Sequence, residues 1–375
     1  MSAVTVKDLV EAMDALAPPS LAEDWDPIGL SFGSLDKEVS KVMIALDVDN
    51  NTIQEAIDEK VDLMITHHPA IFKPLKTLNS QDPRRLDYIN LIKSDIAVYS
   101  AHTNLDAAES GMNDWLADSI GMSQSERTIV SLNKTEGYKK LAVYVPDYAA
   151  EKVRKALHEA GAGEVGDYKD VSYTLEGQGR FTPQEGSDPT DGEIGREELT
   201  HEQRIEMLVK DKWVYRVIDA LKAAHPYEEP VFDLLTLENQ TDSYGFGRVG
   251  TIEKPKSTEE MAHLIQSLFH IDGVRYGATS KMPHKTAAIF GGSGAKYYKD
   301  ALKKGATLFI TGDVSYHDGQ DMLRDGIEFI DAGHYIESIC VPELFAYFNR
   351  QKEEHNWSVD IIESKTQKDV FTYLR

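Results

Sequence analysis

The chain has 375 residues, enough for about two to three domains of roughly 150 residues each. Its 63 acidic and 40 basic residues give a formal charge of -23, which repels phosphate backbones and anionic lipid and argues against nucleic acid and membrane surfaces as partners. Hydrophobic residues make up 41% of the chain, no apolar run approaches the roughly 20 residues of a membrane helix, and Cys340 is the only cysteine. Internal disulfides and thiolate metal clusters are thereby excluded, and any metal must be held by imidazole and carboxylate. The N-terminal MSAVTVKDLVEAMDALAP lacks a basic region followed by an apolar one, so a cytoplasmic location is the expectation.

Thr5 with Asp8 three residues later reads as a capping box, and Val6, Leu9, Val10, Met13 and Leu16 recur at helical spacing, which predicts a first helix over 5–16. AEDWDPIGLSFG (22–33) follows, with an Asp-Pro and two glycines that predict an irregular loop carrying Trp25 and Phe32. VMIALDV (42–48) reads as a buried strand, Asn51 as the cap of a helix to about Glu59, and Leu63-Met64-Ile65 as the next strand. That order is a βαβ unit with a parallel pair. The second strand runs through Thr66 straight into His67, His68 and Pro69. A helix over 82–94 and a strand IAVYSAH (96–102) come next and deliver His102 and Asp106 to the same sheet edge. In open α/β sheets that carboxyl edge is where ligands sit.

From about 131 the character changes. KLAVYVP is a strand, 147–160 a helix, 161–200 a Gly-, Asp-, Glu- and Pro-rich stretch that predicts a hairpin or loop, and 213–239 a helix then a strand. Strand, helix, strands, helix, strand over about 110 residues suits a ferredoxin-like α+β insert spanning 131–244. After it, Ser257-Thr258 caps a helix and TAAIFGG ends in the glycine-rich GGSGAK (291–296), a plain tight turn or a weak anion cradle. LFIT (308–311) repeats LMIT (63–66), which sets Gly312-Asp313 where His67-His68 stood. Segments 1–130 and 245–375 therefore read as two halves of one layered α/β body. IEFIDAGHYIESIC (327–340) supplies a last core strand and His334 with Glu337 at i+3, and DVFTYLR (369–375) is expected to add an edge strand.

An isolated pair of histidines closed by proline is usually a pair of satisfied polar residues in a turn. Here His67, His68, Asp106, His334 and Glu337 together offer three imidazoles and two carboxylates, with His102 as a further candidate. That set exceeds the three protein ligands of a catalytic zinc and suits two divalent cations sharing a carboxylate, with a water between them as nucleophile. Zinc, iron and manganese all accept such donors. His317 is a candidate proton shuttle, Asp313 a candidate partner for a ligand histidine, and Lys73 and Lys76 candidates to receive an anionic substrate.

The motifs DWDPIGLSFG, ITHHPAIFKPL, SAHTNLDAAESGMND, TGDVSYHD and DAGHYIES, in that order, resemble the Nif-three-like family of dinuclear metal proteins, often labelled GTP cyclohydrolase I type 2 homologues. The resemblance implies that His67, His68, Asp106, His334 and Glu337 hold the metals. Many members space the last pair H-x-x-x-E, whereas this chain has His334-x-x-Glu337. AHPYEEPVFDLL (224–235) resembles the PII/CutA-like module of the longer members, and the resemblance implies a homohexameric ring. The expected function is hydrolysis of a C–N or phosphoester bond in a small, nucleotide-like molecule, with His102 and His317 as catalytic candidates. The alternative is a non-enzymatic ring that binds metal or a ligand and regulates.

Overall fold

The computed structural model describes residues 3–374. Two units emerge: one comprises the chain up to Lys134 and from Tyr244 onward, the other Thr135–Ser243. The first begins with β1 (Val4–Thr5), α1 (Val6–Leu16), β2 (Gly29–Phe32), β3 (Glu38–Val39), β4 (Lys41–Ala45), α2 (Asn50–Asp58), β5 (Leu63–Thr66), α3 (Pro83–Lys93) and β6 (Ala97–Ser100). The Thr5–Asp8 capping box is present at the start of α1. β4, β5 and β6 are parallel neighbours, with Val42 opposite Leu63 and Leu63 opposite Ala97. Successive residues of a strand face opposite sides of the sheet. Met43, Met64 and Val98 accordingly pack with Ile53 of α2 and Leu91 of α3. Ile44, Ile65 and Tyr99 pack on the other side with Leu9 and Met13 of α1. With both faces covered, these strands hold continuous apolar runs rather than alternating ones.

Two local expectations change. The segment read as wholly irregular contains β2, which pairs antiparallel with β6 through an irregular register between Leu30 and Phe32. Gly29 and Gly33 allow it: both have positive φ, and a Cβ on Gly33 would lie 2.6 Å from that of Ala97. The cap of α2 is Asp49 rather than Asn51, because Asp49 accepts from the Thr52 N–H at 2.8 Å while Thr52 Oγ1 accepts from the Asp49 N–H at 2.9 Å.

Two short helices follow, α4 (Thr103–Ala107) and α5 (Met112–Ser119), and then the long strand β7 (Met122–Pro146). The second unit takes in the later part of β7, α6 (Ala150–Glu159), β8 (Tyr173–Phe181), β9 (Glu198–Lys210), α7 (Val214–Ala224) and the start of β10 (Phe232–Lys256). β8 and β9 form an antiparallel hairpin joined by the irregular 182–197, and the strand order is β10-β7-β9-β8. Its core sets Leu141, Val143 and Ile205 against Val153 of α6 and Val217 and Leu221 of α7.

The first unit resumes with α8 (Thr258–Leu268), β11 (Arg275–Gly277), β12 (His284–Ile289), α9 (Tyr298–Lys303), β13 (Leu308–Thr311), α10 (Tyr316–Arg324), β14 (Glu328–Asp331), a 3-10 turn His334–Ile339, α11 (Cys340–Glu354) and β15 (Asp360–Glu363). β12, β13 and β14 are parallel neighbours, flanked by antiparallel β10 and β11. LFIT is buried at all four positions, as LMIT is. The two halves share one core that includes Leu9 and Met13 as well as Phe309, Ile310 and Phe348. The expected edge strand at 369–375 is corrected: β15 takes the edge beside β4, with Ile361 opposite Val42, and 370–374 carry no strand. Arg375 lies outside the described residues. Among the described residues no helix is long and apolar enough to cross a membrane.

One buried carboxylate ties the ends of this second sheet. Glu328 accepts from the Thr279 and Ser280 N–H groups at 2.9 and 2.8 Å, from both of their hydroxyls and from that of Thr258, and lies 3.2 Å from His284 Nε2. Burial alone would raise its pKa, but these donors outweigh it and hold the carboxyl at about 2 against an ordinary 4.5. A depressed carboxyl pKa stabilises the fold above the unfolded value and loses that contribution as pH falls through the folded one. Glu328→Gln should therefore lower the unfolding free energy at pH 7 by about 3 kcal/mol in urea titrations, and the gap to the parent should close between about pH 4.5 and 2. A gap that is constant with pH would contradict this account.

Candidate metal centre

The carboxyl ends of both parallel sheets supply the cluster. The β5 ladder continues one step past its end, with the His67 N–H donating to Ala45 O at 3.3 Å and the His68 N–H to Leu46 O at 2.9 Å, which holds both histidines at the sheet's lip. β6 leads into His102, the residue before α4, and Asp106 follows on that helix. From the other half, β13 leads into Asp313 and β14 into the 3-10 turn that begins at His334. A 3-10 helix has three residues per turn, so residues i and i+3 stack. That stacking brings His334 Nε2 within 3.1 Å of Glu337 Oε2 and accommodates the H-x-x-E spacing.

Three overlapping ligand groups result: His67, His68 and His102; His68, His334 and Glu337; His67, Asp106 and Glu337. Glu337 belongs to two of them. Its Oε2 lies 3.0 Å from His68 Nε2, 3.1 Å from His334 Nε2 and 3.8 Å from His67 Nε2, and Asp106 Oδ1 lies 3.7 Å from His67 Nε2. The five side chains expected as metal ligands are therefore together, with His102 beside them. His317 is not. It is exposed on α10, contacts Tyr316 and Gln320, and is absent from these groups, because its helix starts only at Tyr316, five residues past the end of β13.

Each imidazole in the cluster has its Nδ1 anchored. His67 Nδ1 donates to Ala101 O at 2.9 Å, His68 Nδ1 meets Asp47 at 2.6 Å, His102 Nδ1 meets Asp26 at 3.0 Å and His334 Nδ1 meets Asp313 at 2.6 Å. Such outer partners fix the ring and the tautomer of a ligand histidine. For His67 the consequence is sharp. A carbonyl only accepts, so the proton sits on Nδ1 and Nε2 presents a lone pair; burial pushes the pKa of this ring down to about 3, so the second nitrogen stays unprotonated. That lone pair faces two carboxylates, and both His67 Nε2 and Asp106 Oδ1 are buried without a hydrogen-bond partner. Buried polar atoms in native proteins are paired, so the arrangement calls for a cation.

The rest of the electrostatics follows the same logic. Burial and the neighbouring Glu337 raise the pKa of Asp106. Against its burial, bonds from His334 and His68 hold the Glu337 carboxyl well below the usual range. The His68 ring rises to about 10, since Asp47 and Glu337 overcome its burial, and His334 rises to about 9 through Glu337 first and Asp313 after it. The carboxylates that favour a proton on these two rings would equally favour a cation in its place. The donor set, nitrogen and oxygen only, fits hard or borderline divalent cations.

The glycine turn lies against this cluster. Gly292 has φ 58°, and a Cβ there would stand 2.5 Å from Glu337 Oε1 and 3.2 Å from His334 Cε1. The turn thus acts by leaving room for Glu337. Asn113 links it to the N-terminal half, accepting from the Gly291 N–H at 3.0 Å and donating to Asp106 O at 2.8 Å. Two anchors escaped the sequence reading, Asp47 and Asp26. Asp47 stands two residues past the end of β4, as His68 does past the end of β5, whereas Asp26 sits in a loop with no such cue.

The Duf34/NIF3 (NGG1p interacting factor 3) family model matches residues 4–370. The chain belongs to the Duf34/NIF3 family. Among its relatives, a Bacillus subtilis protein named "GTP cyclohydrolase 1 type 2 homolog" is 37% identical over 99% of both chains, and a Listeria innocua protein of the same name is 40% identical over 96% of both. A Bacillus cereus crystal structure described as a protein related to NIF3 superposes with a TM-score of 0.92 at 33% identity over 100% of both chains. The Staphylococcus aureus protein SA1388 gives 0.79 at 31% identity, again over 100% of both.

If the anchors fix ligand histidines in this Duf34/NIF3 protein, Asp47→Ala and Asp313→Ala should each weaken divalent-cation binding about 10- to 100-fold in competition titrations against a chelator. Affinities equal to the parent's would show that the anchors are not needed.

Proposed function

We propose that the chain is a divalent-metal-dependent hydrolase acting on a C–N or phosphoester bond of a small nucleotide-like substrate, with His67, His68, Asp106, His334 and Glu337 holding two cations per chain. Zinc, iron and manganese are the candidates. The observation that carries this reading is the buried lone pair of His67 Nε2 set against the carboxylates of Asp106 and Glu337. Two divalent cations held there would polarise a substrate oxygen and lower the pKa of a bound water toward neutrality.

The chain's own side chains supply the remaining functions. Glu337, common to two ligand groups, is the proposed shared carboxylate. His102, with Nδ1 held by Asp26, packs its ring 5.2 Å from His67 and 5.6 Å from His68 and is the proposed proton carrier. The nucleotide-like substrate class is supported by the printed names of the relatives. The exposed Lys73 and Lys76, just past the paired histidines, are proposed to receive its anionic group.

The insert, 131–244, is proposed to be a ferredoxin-like, PII/CutA-like module, a reading supported by its strand-helix-strand-strand-helix-strand order and the sheet order β10-β7-β9-β8. The assembly is proposed to be a homohexamer, on the family resemblance. One observation favours the regulatory alternative: the insert contains a cavity of about 710 Å³ walled in part by Tyr144, Phe181, Glu202 and Tyr227, large enough for a small effector.

Protein purified without chelator should carry close to two divalent ions per chain by elemental analysis, and Asp106→Ala should lose at least one of them together with metal-dependent turnover of a panel of nucleotides, phosphodiesters and cyclic amides. A metal-free protein, or turnover unaffected by Asp106→Ala, would overturn the proposal.

A further inference from the structure

Two large aromatic rings stand exposed beside the cluster. Trp25 is 58% exposed and Phe72 52% exposed. Their centroids lie 5.8 Å apart, and each meets the ring of His102, at 6.2 Å for Trp25 and 6.4 Å for Phe72, with interplanar angles of 76° and 77°. His102 in turn meets His67 and His68. A single imidazole therefore separates the metal-ligand histidines from the outer pair of rings.

These rings are not loose surface residues. Residues on either side of Trp25 are clamped to Thr103: the Glu23 N–H donates to Thr103 Oγ1 at 3.0 Å, and the Asp26 carboxylate accepts from the Thr103 N–H at 2.9 Å and from its hydroxyl at 2.5 Å. The segment that fixes His102 through Asp26 thus also presents Trp25. Burying an indole ordinarily stabilises a fold by a few kcal/mol, about 25 cal/mol per Å² of apolar surface, and this fold forgoes much of it at a held position. Phe72 begins an exposed stretch, 72–80, that contains Lys73 and Lys76. Neither lysine makes an ion pair among the described residues, so both are available to an anion.

We propose that Trp25 and Phe72 form a stacking platform at the mouth of the metal centre that binds the planar heteroaromatic end of the substrate, with the phosphate-bearing part directed to the cations and to Lys73 and Lys76. The proposal rests on the reading of the cluster as a dinuclear metal site and adds which residues select the substrate. Stacking on an aromatic face accepts any planar base, so the platform distinguishes ring-bearing from ring-free phosphates rather than one base from another.

The test is equilibrium binding, by titration calorimetry on the metal-loaded full-length protein, of adenosine 5′-monophosphate against ribose 5-phosphate, with metal content measured for every variant. The parent should bind the nucleotide about 10-fold or more tightly than the sugar phosphate, and Trp25→Ala and Phe72→Ala should each bring that ratio toward about 3-fold or less, with sugar-phosphate affinity and metal content unchanged. Trp25→Phe should keep most of the preference. Equal affinity of the parent for the two ligands, no binding of the nucleotide, or a preference intact in both alanine variants would overturn the platform. The hydrolase reading fails separately: a ring preference lost in Trp25→Ala, in a protein that shows no turnover, leaves the platform standing and removes the catalysis.

Discussion

The organising constraint of this molecule is an electrostatic debt at the lips of two parallel sheets. Carboxylates and imidazoles converge there from loops of both halves, and each imidazole is fixed through its Nδ1. Ala101 O holds His67 by its Nδ1, and the 3-10 turn sets Glu337 against His334 in the room that the glycines at 291 and 292 leave. A buried lone pair facing buried carboxylates is unfavourable by several kcal/mol in the absence of positive charge. Divalent cations bound there would convert that cost into binding energy, and metal occupancy and the local stability of these loops would then be one linked quantity.

The two-half architecture explains why the site needs the whole body. The N-terminal sheet brings His67, His68 and Asp106, and the C-terminal sheet brings His334 and Glu337. Neither half supplies all five of these side chains. Asn113 bridges the halves at the site, accepting from Gly291 and donating to Asp106 O. Arg248 does so close by, its guanidinium buried against Asp114 at 2.7 and 2.8 Å and against Ala108 O at 3.0 Å. A fully paired buried guanidinium adds little net stability, but it specifies one arrangement of the elements it joins.

Much of this was legible in the sequence, for physical reasons that can be named. Strands buried on both faces are continuous apolar runs, so LMIT and LFIT announced themselves, and what directly followed each run fell at the sheet's carboxyl edge. The helix starts at Thr5 and Ser257 were readable because capping boxes are local. Features set by tertiary partners were not. β2 exists because β6 offers it an edge and Gly33 can approach Ala97, and neither fact has a local signature. The tail looked like a strand from its apolar residues, yet β15 already held the edge beside β4. His317 shared its chemistry with the ligands but not their geometry. Asp47 and Asp26 were hidden for the opposite reason, since an acidic residue in an acidic chain draws no attention until an imidazole is found 2.6 or 3.0 Å away.

The central proposal is that one carboxylate, Glu337, would be shared by two cations. Anomalous diffraction from crystals of the protein grown with manganese or zinc tests it most directly. The account predicts two peaks about 3.5 to 4 Å apart, one beside His67 and Asp106 and the other beside His68 and His334, with Glu337 contacting both. A single peak, or peaks placed away from Glu337, would contradict it.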